Sequence, residues 1–179
     1  MQRIVPAILS LHHHRDLLEQ ESVIYRPSAC PHCGLARLWG HGGYVRKADR
    51  RPEPSGSLNP SFIPRFFCQG CRQTCSRLPE CIAPRRWYGW AVQQVVLLWL
   101  LGGGSLHQAA AQGGVDRHTV RRWWGWLKAR SETFAFRLRS RFPELGRAVD
   151  FAGFWKGCLA SMPLSEAMAW LDLVGVAVR

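Results

Sequence analysis

Four cysteines in two tight pairs, Cys30-x2-Cys33 and Cys68-x2-Cys71, carry the clearest chemistry in this 179-residue chain. A structural zinc site takes four soft ligands in a tetrahedron, and two short turns that each present two sulfurs supply them. The intervening residues suit that task. Cys-Pro-His-Cys-Gly and Cys-Gln-Gly-Cys-Arg place small or turn-forming residues where backbone must wrap an ion. One such pair occurs in redox motifs and by chance; two in a short chain predict bound Zn2+ through Cys30, Cys33, Cys68 and Cys71 rather than a set of inert core thiols. A disulfide framework fits less well, because the chain has seven cysteines, an odd number, and its start lacks a secretory cleavage pattern. Cys75, Cys81 and Cys158 are left over as small core residues, with Cys75 a substitute ligand.

A second constellation lies between residues 117 and 128, where Arg117, His118, Thr119, Arg121, Arg122, Gly125 and Lys128 alternate with bulky apolar residues. At helical spacing Val120, Trp123, Trp124 and Leu127 fall within about 100° of arc and form the stripe to be buried. His118 and Arg122 then point nearly the opposite way, with Arg121, Gly125 and Trp126 on the flanks. Base edges of duplex DNA are read from the N-terminal half of such a helix, and arginine pairs bidentately with guanine. His118, Arg121 and Arg122 are therefore the candidate base readers. Arg117, nearer the stripe, suits a phosphate, and Gly125 permits close backbone approach. Thr119 and Lys128 complete the candidate DNA-binding set.

Charge supports a polyanion partner. The formal net charge is +12, and it is concentrated in two blocks: residues 26–86 carry eleven basic and three acidic residues, and residues 87–141 carry eight and two. Catalysis has no comparable signature. Metal-dependent strand transfer needs clustered carboxylates, yet the 38 residues after Arg141 hold only Glu144, Asp150, Glu166 and Asp172, spaced like helix-surface charges and caps. Gly102-Gly103-Gly104 lacks the lysine of a phosphate-binding loop. A zinc-dependent nuclease using His32 or His41 conflicts with a site that four cysteines close. No catalytic residue is assigned.

These side chains must be carried by a small α+β fold. Residues 1–28 read as a lead-in with a short helix at 16–21, and His12, His13 and His14 as a solvated turn. Residues 29–83 read as a zinc ribbon of short antiparallel strands at 38–39, 44–46, 62–63 and 66–67. Thirty-four residues separate Cys33 from Cys68, and the proline-rich stretch 49–64 is expected to be an extended loop that accounts for the excess. Residues 84–141 read as an all-α unit: a helix at 87–101 with an apolar face of Trp90, Ala91, Val95 and Leu98, a second at 106–112 capped by Ser105, and a third from Asp116 to about residue 130. Ala110, Gly114, Val120 and Trp123 have the offsets of a helix-turn-helix; only Gly113 departs, where an apolar residue is more usual. Residues 142–179 read as a helical tail for packing or homo-oligomerisation. The longest apolar run, 91–101, is far short of the ~20 residues that span a bilayer, so no membrane is expected.

Cys-Pro-x-Cys-Gly, then Ile-x-Arg-Phe-x-Cys-x-x-Cys-x-x-Thr over residues 63–74, then Thr-Val-Arg-Arg-Trp over 119–123, resembles the N-terminal zinc-ribbon/helix-turn-helix region of bacterial insertion-sequence transposases and related small stand-alone proteins. The likeness covers residues 29–130. It implies a bacterial cytoplasmic protein that recognises double-stranded DNA, while a separate catalytic domain performs strand transfer. The chain would then be a DNA-binding protein of mobile-element origin, an accessory or truncated transposase partnered by a catalytic subunit, or a derived transcriptional regulator. A protein-interaction module is the remaining alternative.

Overall fold

The computed structural model describes residues 2–20, 22–49, 58–148 and 150–178. The chain divides into two compact units, residues 1–89 with 178–179, and residues 90–177.

The first unit is built on a four-stranded mixed sheet of order β1-β4-β3-β2, with β1 Gln2–Val5, β2 Leu38–Arg46, β3 Ser61–Cys68 and β4 Thr74–Pro79. β2, β3 and β4 pair antiparallel, as the sequence predicts, but β1 pairs parallel to β4, with Gln2 opposite Ser76 and Val5 opposite Pro79. Residues 1–28 are therefore not a lead-in. They contribute an edge strand, then helix α1, Leu11–Gln20, and a 3-10 turn, Ser22–Tyr25. The helix begins five residues earlier than expected. His14, read as part of a solvated turn, is buried on α1: one ring nitrogen meets the Tyr25 hydroxyl and Nε2 lies 2.8 Å from the Phe62 carbonyl. A carbonyl only accepts, so Nε2 carries the proton and Nδ1 accepts from Tyr25. This neutral tautomer ties α1, the 3-10 turn and β3 together.

β2 and β3 are longer than the fragments read from sequence. The register slips between Gly40 opposite Phe66 and Gly43 opposite Pro64, which leaves one extra residue in β2, and Gly42 turns the bulge at φ 61°. A Cβ on Gly43 would lie 2.5 Å from the Ile63 carbonyl, so the tight strand approach needs glycine there. The expected loop 49–64 is shorter at its C-terminal end, because residues 61–64 already belong to β3; residues 50–57 lie outside the described residues. Apolar side chains fill two clusters. Val5, Ile8, Tyr25, Leu38 and Phe66 pack around Cys30, Cys68 and Cys75, and Ile63, Leu78, Ile82 and Ala48 form the other.

The second unit is helical: α2 Trp90–Leu101, α3 Leu106–Gly113, α4 Arg117–Arg141, α5 Phe151–Ser161 and α6 Leu164–Leu173, with a 3-10 turn at Pro143–Arg147. α2 starts three residues later than predicted and buries Trp90 of the expected face, but otherwise turns its other side inward. Val92, Gln93, Val96, Leu97 and Leu100 are buried, whereas Ala91, Val95 and Leu98 are exposed. α4 continues eleven residues past its expected end. The predicted tail is part of this unit's core. Trp155 of α5 is fully buried, donates from its indole nitrogen to Ser131 Oγ at 2.9 Å, and packs edge-on against Phe134 and Phe154. Gln94, one of two polar residues in the apolar α2 run, accepts from the Leu164 N–H at 2.7 Å and so caps α6, whose leading residue Pro163 offers no side-chain acceptor. Of the four acids read together as surface charges and caps, Asp150 caps α5, whereas Asp172 is buried on α6.

Candidate functional site

The four cysteines of the predicted ligand set meet. Each Sγ lies within 4.8 Å of the other three, and among the described residues no further histidine, cysteine or carboxylate joins them. Cys30 Sγ is 3.7 Å from Cys71 Sγ, and Cys33 Sγ is 3.7 Å from Cys68 Sγ. A tetrahedron with metal–sulfur bonds of about 2.3 Å has edges of about 3.8 Å, so the spacing fits a tetrathiolate ion.

Two matching turns produce that spacing. In the first, the Cys30 N–H donates to the Leu35 carbonyl at 2.9 Å and the Gly34 N–H donates back to the Cys30 carbonyl at 2.8 Å. In the second, Cys68 donates to Gln73 at 2.9 Å and Arg72 donates back to Cys68 at 2.9 Å. The residue after the second cysteine of each pair is left-handed, Gly34 at φ 75° and Arg72 at φ 58°; the glycine is at ease there and the arginine is held by the turn. The Gln69 N–H donates to the Arg37 carbonyl at 3.0 Å and ties one turn to the other. Gly70 also matters, since a Cβ there would come within 2.5 Å of Leu35 on the opposing turn.

The ligand thiols differ among themselves. The Cys71 N–H, followed by that of Gly70, holds the Cys68 thiol down to about 7 against the opposing effect of burial, whereas burial pushes the Cys71 thiol up to about 12. The leftover cysteines are raised as well. Burial raises the Cys75 thiol, and it pushes Cys158 up to about 12. Cys75 lies on β4 in the apolar cluster beside Cys30 and Cys68 but outside the four-sulfur group, so a packing role replaces the substitute-ligand reading.

The α4 set sits at the start of a long helix whose entry is firmly fixed. Ser105 and Gln108 form a reciprocal capping box on α3, and Gly114 ends that helix in the left-handed region at φ 60°. The Asp116 carboxylate then accepts from the Thr119 N–H at 2.8 Å and from its hydroxyl at 2.6 Å. These bonds hold the Asp116 carboxyl below its usual range and take up the donor of Thr119, so this candidate offers a partner only acceptor capacity. Gly113 has a clear reason to depart from the helix-turn-helix pattern: a Cβ there would lie 2.4 Å from Val96 Cγ2 of α2, so Val96 occupies the volume an apolar side chain would need.

Val120, Trp123 and Leu127 are buried and Trp124 is half-buried, as the stripe requires. Arg117, His118, Arg121, Arg122, Gly125 and Lys128 are all exposed. Gly125 has open space where a Cβ would project. Lys128 Nζ lies 4.9 Å from the Trp124 ring centroid, which positions its charge. Further along, Arg137 is exposed, but Arg139 donates to the Ala148 carbonyl at 2.8 Å and stacks over Phe154 at 4.9 Å. Arg139 thus holds the α4–α5 connection. Sequence reasoning also passed over the basic-aromatic run Arg85-Arg86-Trp87-Tyr88, although its composition was a usable signal.

Residues 30–123 match the family described as Domain of unknown function (DUF6431), and the chain belongs to that family. The match opens on the first ligand cysteine and closes on Trp123 of α4, so it spans all four cysteines and the start of the cationic helix. Comparison with curated proteins and with solved structures found no match. No helix among the described residues is long and apolar enough to cross a membrane.

Proposed function

We propose that the chain is a zinc-stabilised, sequence-specific DNA-binding protein related to insertion-sequence transposases, one that recognises duplex DNA without itself carrying out strand transfer. The observation that carries this reading is the division of α4: an apolar side buried in the helical unit, and an outward side of Arg117, His118, Arg121, Arg122 and Lys128 around the bare backbone of Gly125. The α3–α4 pair, with its caps and left-handed glycine turn, supports a helix-turn-helix whose second helix enters the major groove. Zinc in the four-cysteine group supplies folding energy to the sheet unit, since Cys30 and Cys68 belong to its buried apolar cluster and the ion ties the two turns together there. The cysteines leave no open coordination position for chemistry at the ion.

The test combines metal analysis with randomised-site selection on the purified chain. One zinc per chain is expected, together with a discrete preferred duplex. Arg122→Ala should cost about 1–3 kcal/mol and relax preference at one base position. Unchanged affinity and preference would refute the α4 assignment. Flanking inverted repeats and a neighbouring catalytic reading frame would support mobile-element origin, whereas a lone frame beside the gene it controls would support a regulator.

A further inference from the structure

The sheet unit carries a cleft that plays no part in holding the four cysteines and lies outside α4. It has two compartments. The larger, about 530 Å3, is walled by Tyr44, Val45, Lys47, Arg86 and Trp87. The smaller, about 210 Å3, is walled by Arg65, Thr74 and Ser76. Gln2, Tyr44 and Arg85 line both, so the two are continuous.

The sheet register explains why these residues meet. Gln2, Ser76 and Arg65 form one cross-strand row over β1, β4 and β3. The Gln2 side-chain amide donates to the Tyr44 hydroxyl at 2.8 Å, and the Arg65 guanidinium sits 5.4 Å from the Tyr44 ring centroid. On the other wall, Arg46 donates to the Ala83 and Arg86 carbonyls at 2.6 and 2.8 Å, which fastens the connecting segment to β2. That segment holds Arg85 in the left-handed region at φ 53° and leaves Trp87 64 % exposed. A non-glycine residue in that conformation costs free energy, and the exposed indole offers an aromatic face beside the cations. No carboxylate lines either compartment among the described residues.

We propose that this cleft binds a phosphorylated nucleoside: the base stacks on Trp87 in the larger compartment, and the phosphate enters the smaller one against Arg65 and Arg85 and the Thr74 and Ser76 hydroxyls. The chemistry matches in both parts. An exposed aromatic face beside cations is the platform on which unpaired bases stack. A small pocket lined by guanidinium and hydroxyl groups binds a phosphate oxygen set. The larger volume is within the ~300–1,000 Å3 of small-molecule sites. A base-paired nucleotide cannot stack in this way, so the ligand is unpaired, either a free nucleotide or one unit of a single strand. The site goes beyond duplex recognition by α4 and does not rest on it.

The experiment uses the full zinc-loaded chain and a short fluorescein-labelled oligothymidylate, followed by anisotropy, with thymidine monophosphate as competitor. Trp87→Ala should weaken binding about 5- to 150-fold, the range measured for losing one stacked base, and Trp87→Phe should restore most of it. Arg85→Ala should weaken binding and reduce the salt slope by about 0.7, one phosphate on a single strand. Both side chains are exposed, and circular dichroism checks that the fold is kept. Competition by the mononucleotide at similar affinity identifies a free nucleotide as the ligand; failure to compete, with strand binding still sensitive to Trp87, identifies a strand. Lys156→Ala, which removes an exposed cation of α5 outside both proposed sites, should leave strand binding unchanged. Strand affinity indifferent to Trp87→Ala and Arg85→Ala would overturn the site, while the duplex selection tests α4 separately.

Discussion

Gly125→Ala separates folding from binding in a single substitution. Glycine inside a helix is about 0.8–1.0 kcal/mol less favourable than alanine, because its unfolded chain has more freedom to lose. At Gly125 that is the only effect folding should register, since an added Cβ meets nothing within 4 Å. The variant should be more stable by close to that amount, which for a domain of 60–100 residues raises the midpoint by about 4–8 °C. Gly113→Ala offers the opposing case within the same helical unit. There the new methyl falls 2.4 Å from Val96 Cγ2, and Val96 is fully buried. Overpacking of about 1–3 kcal/mol outweighs the propensity gain, so the midpoint should drop. Binding should reverse the order. A side chain at Gly125 stands at the centre of the cationic face, so Gly125→Leu should lower specific duplex affinity about tenfold, as one lost base contact does, while the milder Gly125→Ala loses less. Thermal unfolding by circular dichroism and anisotropy with the selected duplex supply both readouts. A Gly125→Leu variant with full DNA affinity would remove Gly125 from the interface, and a destabilised Gly125→Ala would refute the open geometry around it.

Cys71→Ser should lose bound zinc and unfold the sheet unit on chelation, whereas Cys75→Ala should keep its metal; equal metal loss in both would return Cys75 to the ligand set. Arg139→Ala should lower stability by about 1–2 kcal/mol, through its lost bond to Ala148 and its lost packing on Phe154, and leave the DNA salt slope unchanged; a slope reduced by about 0.9 would place Arg139 on a phosphate instead. Burial holds the His14 pKa below its ordinary 6.5, so the unfolded chain takes up the proton first. The contribution of neutral His14 is therefore complete above 6.5 and is lost as pH falls below that value toward the lower folded one. Unfolding midpoints of wild type and His14→Gln compared across this window should converge on acidification; a constant gap would show that His14 does not titrate differently on folding.

The four-cysteine group was legible because its signal is local. Each pair carries its own turn, and the turn residues Gly34 and Gly70 stand in the sequence beside the sulfurs they position. The caps on α3 and α4 were legible for the same reason, since Ser105 and Asp116 act on N–H groups three residues away. The N-terminal segment was not. Its strand earns a place only through parallel pairing with β4, more than seventy residues on, and nothing in Gln2–Val5 announces that partner. His14 shows the cost of reading such a segment alone. Three consecutive histidines look solvated, and only the distant Phe62 carbonyl with the Tyr25 hydroxyl makes the third a core residue.

α2 failed for a different reason. Its sequence is apolar nearly all round, so a helical projection offers several faces of almost equal hydrophobicity and no basis for choosing among them. The choice falls to its neighbours: α3 brings Gly113 against Val96, and α6 needs the Gln94 side chain at its N-terminus. Those two demands fix the rotation of α2 and leave Val95 and Leu98 outside. The same logic explains why the buried side of α4 was read correctly. Its arginines cannot be buried without partners, so charge decided there what hydrophobicity alone could not decide in α2.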